Sequence, residues 1–416
     1  MTDITLSVCV TTGRRPAFLD HLLSRIVAEC RFGFPFEVVV SDAGGDGAAR
    51  DVAERHRLAG LPVVYARHDG PVDGAAHVID ALHRGRGRYL LALADDALLI
   101  PDAVAETVAF LDAAPGVLAA YAAPDYYDDT TGRSSGPLHR LDADATFEPG
   151  DALDLLGFFV RHGLRPDHAV FRAEAVRRIL SPGASCHWSF IALSRIAAAG
   201  AVSFRARPFL HLVTRSRVAE ARGRDLVEEQ WDLDRGGLEY VVQALLAQIG
   251  PQLDAGQRQV FRDAVDAYAQ ARLRLALRQW QALGDFVRVH EILCRLRAMG
   301  AGQAGEVEQE IGNADRLPLL VAVQTLARFA NGLAGVSRLV LAGVEDGPSI
   351  SSLLRELGLD RRILVTPPVA GSPGVIQSSL VFLADEADRQ RFLDQGYAPG
   401  LIVSERDLVA GLTPPA

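Results

Sequence analysis

Apolar residues in the first half of the chain follow two alternating rhythms. Short strand-like segments occur at Ile4 to Val10, Phe36 to Val40, Leu61 to Ala66 and Tyr89 to Leu93. Between the first two, Phe18, Leu19, Leu22, Leu23, Ile26 and Val27 recur at helical spacing behind Pro16, a residue suited to the first helical position. Ala48 to Arg57 and Ala75 to His83 predict two further helices, with a loop from Asp69 to Gly74. Strands alternating with helices predict an α/β fold with a parallel sheet and right-handed crossovers.

The segment Arg88 to Asp102 is the most informative. Its Leu-rich run reads as a strand buried on both faces, and it stops abruptly at Asp95 and Asp96. In open α/β sheets, ligands bind outside the carboxyl ends of the strands. Hard divalent cations such as Mg²⁺ or Mn²⁺ take carboxylate oxygens and share their other positions with phosphates and water. The plain alternative is that both acids only end a strand before the helix that starts at Pro101.

Further along, Ala122 to Asp151 is rich in Pro, Gly, Asp and Tyr and reads as loop. The segment Val160 to Val176 follows. The sheet is expected to finish with Ala201 to Arg205 and Pro208 to Val213. Beyond residue 218 the pattern becomes amphipathic and helical: Phe261, Ala264, Val265 and Tyr268 form one stripe, and Phe286, Val289, Leu293 and Leu296 another. From Arg338 strands and helices alternate again, predicting a small Rossmann-like parallel-sheet domain. The expected division is 1–217, a helical region at 218–334, and a small α/β domain at 335–416, whose role is docking, dimerisation or small-molecule sensing.

Composition narrows the function. A net charge of −9 over 416 residues argues against a nucleic-acid partner. There is no lysine, which excludes Schiff-base chemistry and a P-loop lysine. Cys9, Cys30, Cys186 and Cys294 show neither metal spacing nor a disulfide framework, which fits a reducing, cytoplasmic setting. The amino terminus lacks the pattern of a signal peptide, and no apolar stretch is long enough to span a bilayer, so any membrane contact is expected to be peripheral.

In order and spacing, the first half of the chain resembles the family 2 glycosyltransferases of the GT-A fold. Thr11-Thr-Gly-Arg-Arg-Pro16 stands where relatives carry Pro-Thr-Tyr-Asn-Arg, Ser41-Asp-Ala-Gly-Gly45 where they carry Asp-Asp-Gly-Ser, and Ala94-Asp-Asp-Ala97 where they carry the metal-binding Asp-x-Asp. The resemblance implies that Thr11, Thr12, Arg14, Asp42, Gly74 and Asp95 contact the donor nucleotide and that Asp96 ligates Mn²⁺ or Mg²⁺. It places His211 at the metal or diphosphate, with Arg215 beside it to grip phosphate. Ala97 replaces a third acid found in many relatives.

Relatives also carry Glu-Asp at the start of a later helix, with the Asp as general base. Here Ser185-Cys-His-Trp-Ser-Phe190 takes that place, so His187 is the candidate base, with Asp167 and His168 as the others. The implied reaction is inverting transfer of a sugar from a nucleoside-diphosphate donor to a glycan or lipid-linked acceptor, in the setting of bacterial surface polysaccharide synthesis. A homo-oligomer is compatible with the helical stripes. Two alternatives stand beside it: a catalytically degenerate nucleotide-sugar-binding scaffold, and a nucleotidyltransferase, although the latter's basic Gly-rich loop and lysine are missing.

Overall fold

The computed structural model describes residues 3–45, 47–68, 72, 74–138, 140–180, 188–218, 250–300, 314–368 and 371–409. By spatial contacts the chain forms two compact units, Met1–Ala269 and Gln270–Ala416.

The first unit is built on strands β1 (Leu6–Thr12), β2 (Phe36–Asp42), β3 (Val63–Arg67) and β4 (Tyr89–Ala94), separated by helices α1 (Pro16–Glu29), α2 (Ala48–Leu58) and α3 (Gly74–Arg84). These strands pair in parallel in the order β3-β2-β1-β4, as the alternation predicts. Helix α1 buries Leu19, Leu22, Leu23 and Ile26 at i, i+3, i+4 and i+7, while Val27 lies off that face at 37 % exposed. Val8, Val10, Val38, Val40, Leu91 and Leu93 meet that stripe in the main core.

Beyond β4 the chain departs from a purely parallel sheet. After Asp95 and Asp96 it leaves the sheet plane as β5 (Ala97–Leu99), then forms α4 (Pro101–Ala113) and returns as β6 (Val117–Ala122). The expected loop region holds β7 (Asp125–Asp128), β8 (Arg133–Pro137) and β9 (Ala145–Phe147), followed by α5 (Ala152–His162). These strands are short and polar, so hydrophobic alternation does not mark them. β10 (Ala169–Arg172), α6 (Ala173–Ile179), α7 (Trp188–Ala199), β11 (Ala201–Arg205) and β12 (Leu210–Arg215) complete the series. Among the described residues the main sheet has the order β3-β2-β1-β4-β10-β6-β11-β9, with β10 antiparallel to both neighbours.

The segment expected to finish this sheet does not join it. β12 pairs antiparallel with β5 and parallel with β7 in a second sheet of order β5-β12-β7-β8. The turn at Asp95 and Asp96 sends β5 out of the main sheet, and β12 follows it. His211 thereby lies opposite Leu98, next to the strand that begins directly after the two acids.

The division between the units falls inside a helix, Ala255–Ala282, on which Phe261, Val265 and Tyr268 are buried as predicted. In the second unit, Phe286–Ala298 buries Val289, Ile292, Leu293 and Leu296 and is capped by the Asp285 side chain, which accepts from Arg288 N–H. A helix at Leu317–Gly332 precedes four parallel strands: β13 (Arg338–Ala342), β14 (Leu364–Thr366), β15 (Ser379–Leu383) and β16 (Ile402–Ser404), ordered β14-β13-β15-β16. A small parallel-sheet domain was the expectation for this region. The helices at Pro373–Gln377 and Glu405–Val409 are too short to announce themselves by periodicity. Among the described residues no helix is long and apolar enough to cross a membrane.

Candidate functional site

Register brings the candidate residues level with one another. Thr12 pairs with Asp42 across β1 and β2, and Thr11 pairs with Ala94 across β1 and β4. The Asp95 amide donates to the Thr11 carbonyl at 3.2 Å, and the Ala43 amide to the Thr12 carbonyl at 3.0 Å, which extends the ladder past the strand ends. Thr12, Asp42 and Asp95 thus end three adjacent parallel strands at the carboxyl edge, the position that open α/β sheets use for ligands.

Asp95 is 1 % exposed. Its Oδ2 accepts from the Thr12 hydroxyl at 2.6 Å, and Arg15 Nη2 lies 2.5 Å from Oδ1 as a close ion pair rather than an aligned hydrogen bond. Burial raises its pKa to about 6, and the proximity of Asp96 adds to this, against the lowering pull of Arg15 and Thr12. Asp96 is also buried, and its Oδ2 accepts from Arg15 Nη1 at 3.1 Å. One guanidinium therefore bridges both acids. Arg15 was not among the residues singled out from the sequence; Arg14 was, and its side chain is exposed.

The turn carrying Arg15 is tightly constructed. Arg14 is left-handed, with φ 55°, and a Cβ on Gly44 would stand 2.6 Å from the Arg14 amide nitrogen. The β1–α1 and β2–α2 turns therefore approach each other only because residue 44 lacks a side chain. Pro16 follows at the start of α1, which fixes Arg15 as the residue preceding the helix.

Asp42 is fully buried. Its Oδ1 accepts from the Gly44 amide at 2.7 Å and its Oδ2 from the Tyr65 hydroxyl at 2.7 Å. Each oxygen thus already accepts one hydrogen bond from within the protein. Beside it, the Ser41 hydroxyl and His68 Nε2 are 2.9 Å apart, and His77 Nε2 lies 3.0 Å from the Ser41 carbonyl. Gly74 opens α3, and a Cβ there would meet no protein atom within 4 Å, so packing does not demand glycine at that position.

His211 lies in the second sheet. Its Nδ1 is 2.9 Å from Asp125 Oδ2 and its ring stacks on Tyr127 at 4.3 Å. Burial holds its pKa below the ordinary value, even though Asp125 pulls the other way. Arg215, expected to grip phosphate, is 75 % exposed and lies 3.9 Å from Asp128 Oδ2. Nearby, Asp129 is fully buried between His21 Nε2 at 3.0 Å and Arg25 Nη1 at 3.1 Å, tying α1 to the β7–β8 hairpin.

Of the candidate bases, His187 lies outside the described residues. Asp167 accepts from Arg165 Nε at 2.9 Å and from the Ser189 hydroxyl at 2.7 Å. Burial pushes its carboxyl up, but Arg165, His168 and Ser189 outweigh this and hold the pKa low. A carboxylate tied on both oxygens and depressed in pKa is a weak proton acceptor. His168 has its pKa lowered by burial and by Arg165, against Asp167.

The divalent cation implied for Asp96 and His211 has no prepared set of donors. Asp95 is engaged on both oxygens, Arg15 occupies Asp96 Oδ2 and Ala97 offers no ligand, whereas the contact of His211 Nδ1 with Asp125 leaves its Nε2 as a ligand atom. Among the described residues no three His, Cys, Asp or Glu side chains come together to hold a metal ion. As arranged, Arg15 stands where the two acids would hold a directly coordinated cation.

Residues 7–180 match the model of glycosyl transferase family 2. No curated protein matches the sequence. Among solved structures, the chain is similar to S. aureus TarS 1-349, at 14 % identity and a TM-score of 0.48 over 77 % of this chain and 84 % of that one. The same fragment in complex with UDP-GlcNAc matches at 14 % identity and 0.48, covering 77 % and 85 %. The mannosyltransferase PcManGT from Pyrobaculum calidifontis in complex with GDP-Man and Mn²⁺ matches at 18 % identity and 0.43, covering 77 % and 83 %.

Proposed function

We propose that the family 2 glycosyltransferase domain formed by residues 7–180, with its GT-A fold, moves a sugar from a nucleoside-diphosphate donor to a hydroxyl of a glycan or lipid-linked acceptor. The observation that carries this reading is the placement of Asp95 and Asp96 at the carboxyl end of β4, level with Thr12 at the end of β1 and beside the start of α1. That edge is where a diphosphate meets a helix N-terminus and strand-end polar groups.

The chemistry is single displacement with inversion. The acceptor oxygen forms a bond to the anomeric carbon on the face opposite the diphosphate. The bond from that carbon to the diphosphate oxygen breaks, its electron pair leaving with the nucleoside diphosphate, and the acceptor proton passes to a base. Thr12 and Asp95 fix the floor of the donor side. Asp42, through Tyr65 and Gly44, holds the neighbouring turn in place rather than reading the nucleotide. His187 is the proposed base, since the geometry of Asp167 counts against it. The Mn²⁺ or Mg²⁺ expected from the family resemblance enters no step, because the acids as arranged offer it no coordination set. In this reading the small α/β domain at 335–416 serves docking, dimerisation or small-molecule sensing, and surface polysaccharide assembly is the setting.

The test is turnover. Purified protein is incubated with UDP-GlcNAc, GDP-Man and dTDP sugars, and free nucleoside diphosphate is measured. Slow release from one donor, lost in Asp96→Asn, supports the reading. Release of pyrophosphate instead would point to nucleotidyl transfer, and no release from any donor would overturn the catalytic reading.

A further inference from the structure

The bridge from Arg15 to both acids contains a cation already: a guanidinium 2.5 Å from Asp95 Oδ1 and 3.1 Å from Asp96 Oδ2 occupies the position and supplies the sign of charge assigned by resemblance to a divalent metal. We propose that Arg15 is the donor's diphosphate-binding cation, gripping the phosphates directly and neutralising the leaving group, so that a nucleoside diphosphate binds this site without a metal ion. This inference rests on the glycosyltransferase reading of the same site.

Three features support it. A guanidinium has five N–H donors in a planar fork, so two carboxylates can hold its terminal nitrogens while other donors remain for phosphate oxygens. The Arg15 side chain is 34 % exposed whereas Asp95 is sealed, so an incoming anion meets the cation before it meets the acid behind it. Arg15 is also the residue preceding α1, a helix of 14 residues, so the positive end of the helix adds to its charge. In this arrangement Asp95 and Asp96 are positioning residues: they aim the guanidinium, and Thr12 aims Asp95. The tight approach at Gly44 holds the turn from which Arg15 projects.

The two functions of the acids are separable by experiment. Binding of UDP and GDP is measured by calorimetry in EDTA and again with Mn²⁺, using wild type, Arg15→Lys and Arg15→Ala. Mn²⁺ binding to each protein is followed by electron paramagnetic resonance. The inference predicts that one diphosphate binds in EDTA with an affinity changed less than about threefold by Mn²⁺. It predicts a loss of roughly 10–100-fold in Arg15→Ala, the range of one or two charge-assisted hydrogen bonds, and partial recovery in Arg15→Lys. It also predicts Mn²⁺ binding in Arg15→Ala but not in wild type. Binding that requires Mn²⁺ in wild type overturns the role of Arg15 and leaves the glycosyltransferase reading intact. No binding of either diphosphate, with or without Mn²⁺, overturns that reading and this inference with it. The wild-type measurements decide the matter even where a variant fails to fold.

Discussion

The Thr12 hydroxyl donates to Asp95 Oδ2 at 2.6 Å, joining the last residue of β1 to the first residue after β4. Both are almost completely buried, so the bond has no competing water. It is the one side-chain link described between the ends of these strands, and it sets the orientation of a carboxylate that in turn holds Arg15.

Removing that donor leaves a buried carboxylate oxygen unsatisfied. Thr12→Val keeps the shape and the β-branch, so strand propensity is unchanged. The variant is expected to lose about 1–3 kcal/mol, the usual cost of orphaning a buried acceptor. Urea unfolding at pH 7.5 checks this; a midpoint equal to that of wild type would mean that Thr12 does not hold Asp95 in solution.

The raised pKa of Asp95 makes a pH prediction with a definite sign. The folded chain binds this proton up to about pH 6, while an unfolded aspartate releases it near ~3.9. The native state therefore binds more protons between these values, and stability from this group is complete below about pH 4 and lost as pH rises to about 6. Asp95→Asn abolishes that loss. Relative to wild type it should gain stability on moving from pH 4 to pH 7.5, by at most about 3 kcal/mol. Paired denaturant melts at both pH values measure the difference, and a difference that stays flat would place the Asp95 pKa near its ordinary value.

Gly44 and Gly116 provide a matched comparison. A Cβ at 44 would meet the Arg14 amide at 2.6 Å and Asp42 Oδ1 at 3.0 Å, whereas at 116 nothing lies within 4 Å. Gly44→Ala should therefore cost about 1–3 kcal/mol by forcing the two turns apart, and should weaken diphosphate binding by moving Arg15. Gly116→Ala should be neutral within about 0.5 kcal/mol. Thermal melts of the two variants side by side separate a steric demand from a general intolerance of substitution.

What could be read from the sequence divides along physical lines. β1 to β4 and α1 to α3 carry enough apolar residues at the right period to be located, and Asp95 and Asp96 stand out because an abrupt pair of acids ends a Leu-rich run. Arg15 was hidden because an arginine before a helix looks like any solvated residue; only the fold brings it to acids about eighty positions away. The setting of Asp42 is equally hidden, since Tyr65, which donates to its Oδ2, comes from β3. β7 and β8 escaped detection because polar residues fill Asp125–Asp128 and Arg133–Pro137. β12 was given to the wrong sheet because an apolar strand does not state which neighbour it will pair with.

Asp167 separates a catalytic from a structural carboxylate. A general base contributes typically 10²–10⁴-fold to rate, so if Asp167 were the base, Asp167→Asn would lower kcat by that factor and leave stability near wild type. The geometry predicts the opposite weighting. With Arg165 at 2.9 Å and the Ser189 hydroxyl at 2.7 Å, the carboxylate anchors the start of α7 to the segment between α5 and β10. Neutralising it weakens the hold on Arg165 but keeps an acceptor for Ser189. The expected result is a loss of about 1 kcal/mol, discounted for partial exposure, with a fall in kcat of less than about tenfold. His187→Ala should lose kcat by about 10²-fold or more, in the range of a lost base. A large loss of kcat in Asp167→Asn with an unchanged melt would return the role of base to Asp167, and would require Arg165 to release it when the acceptor binds.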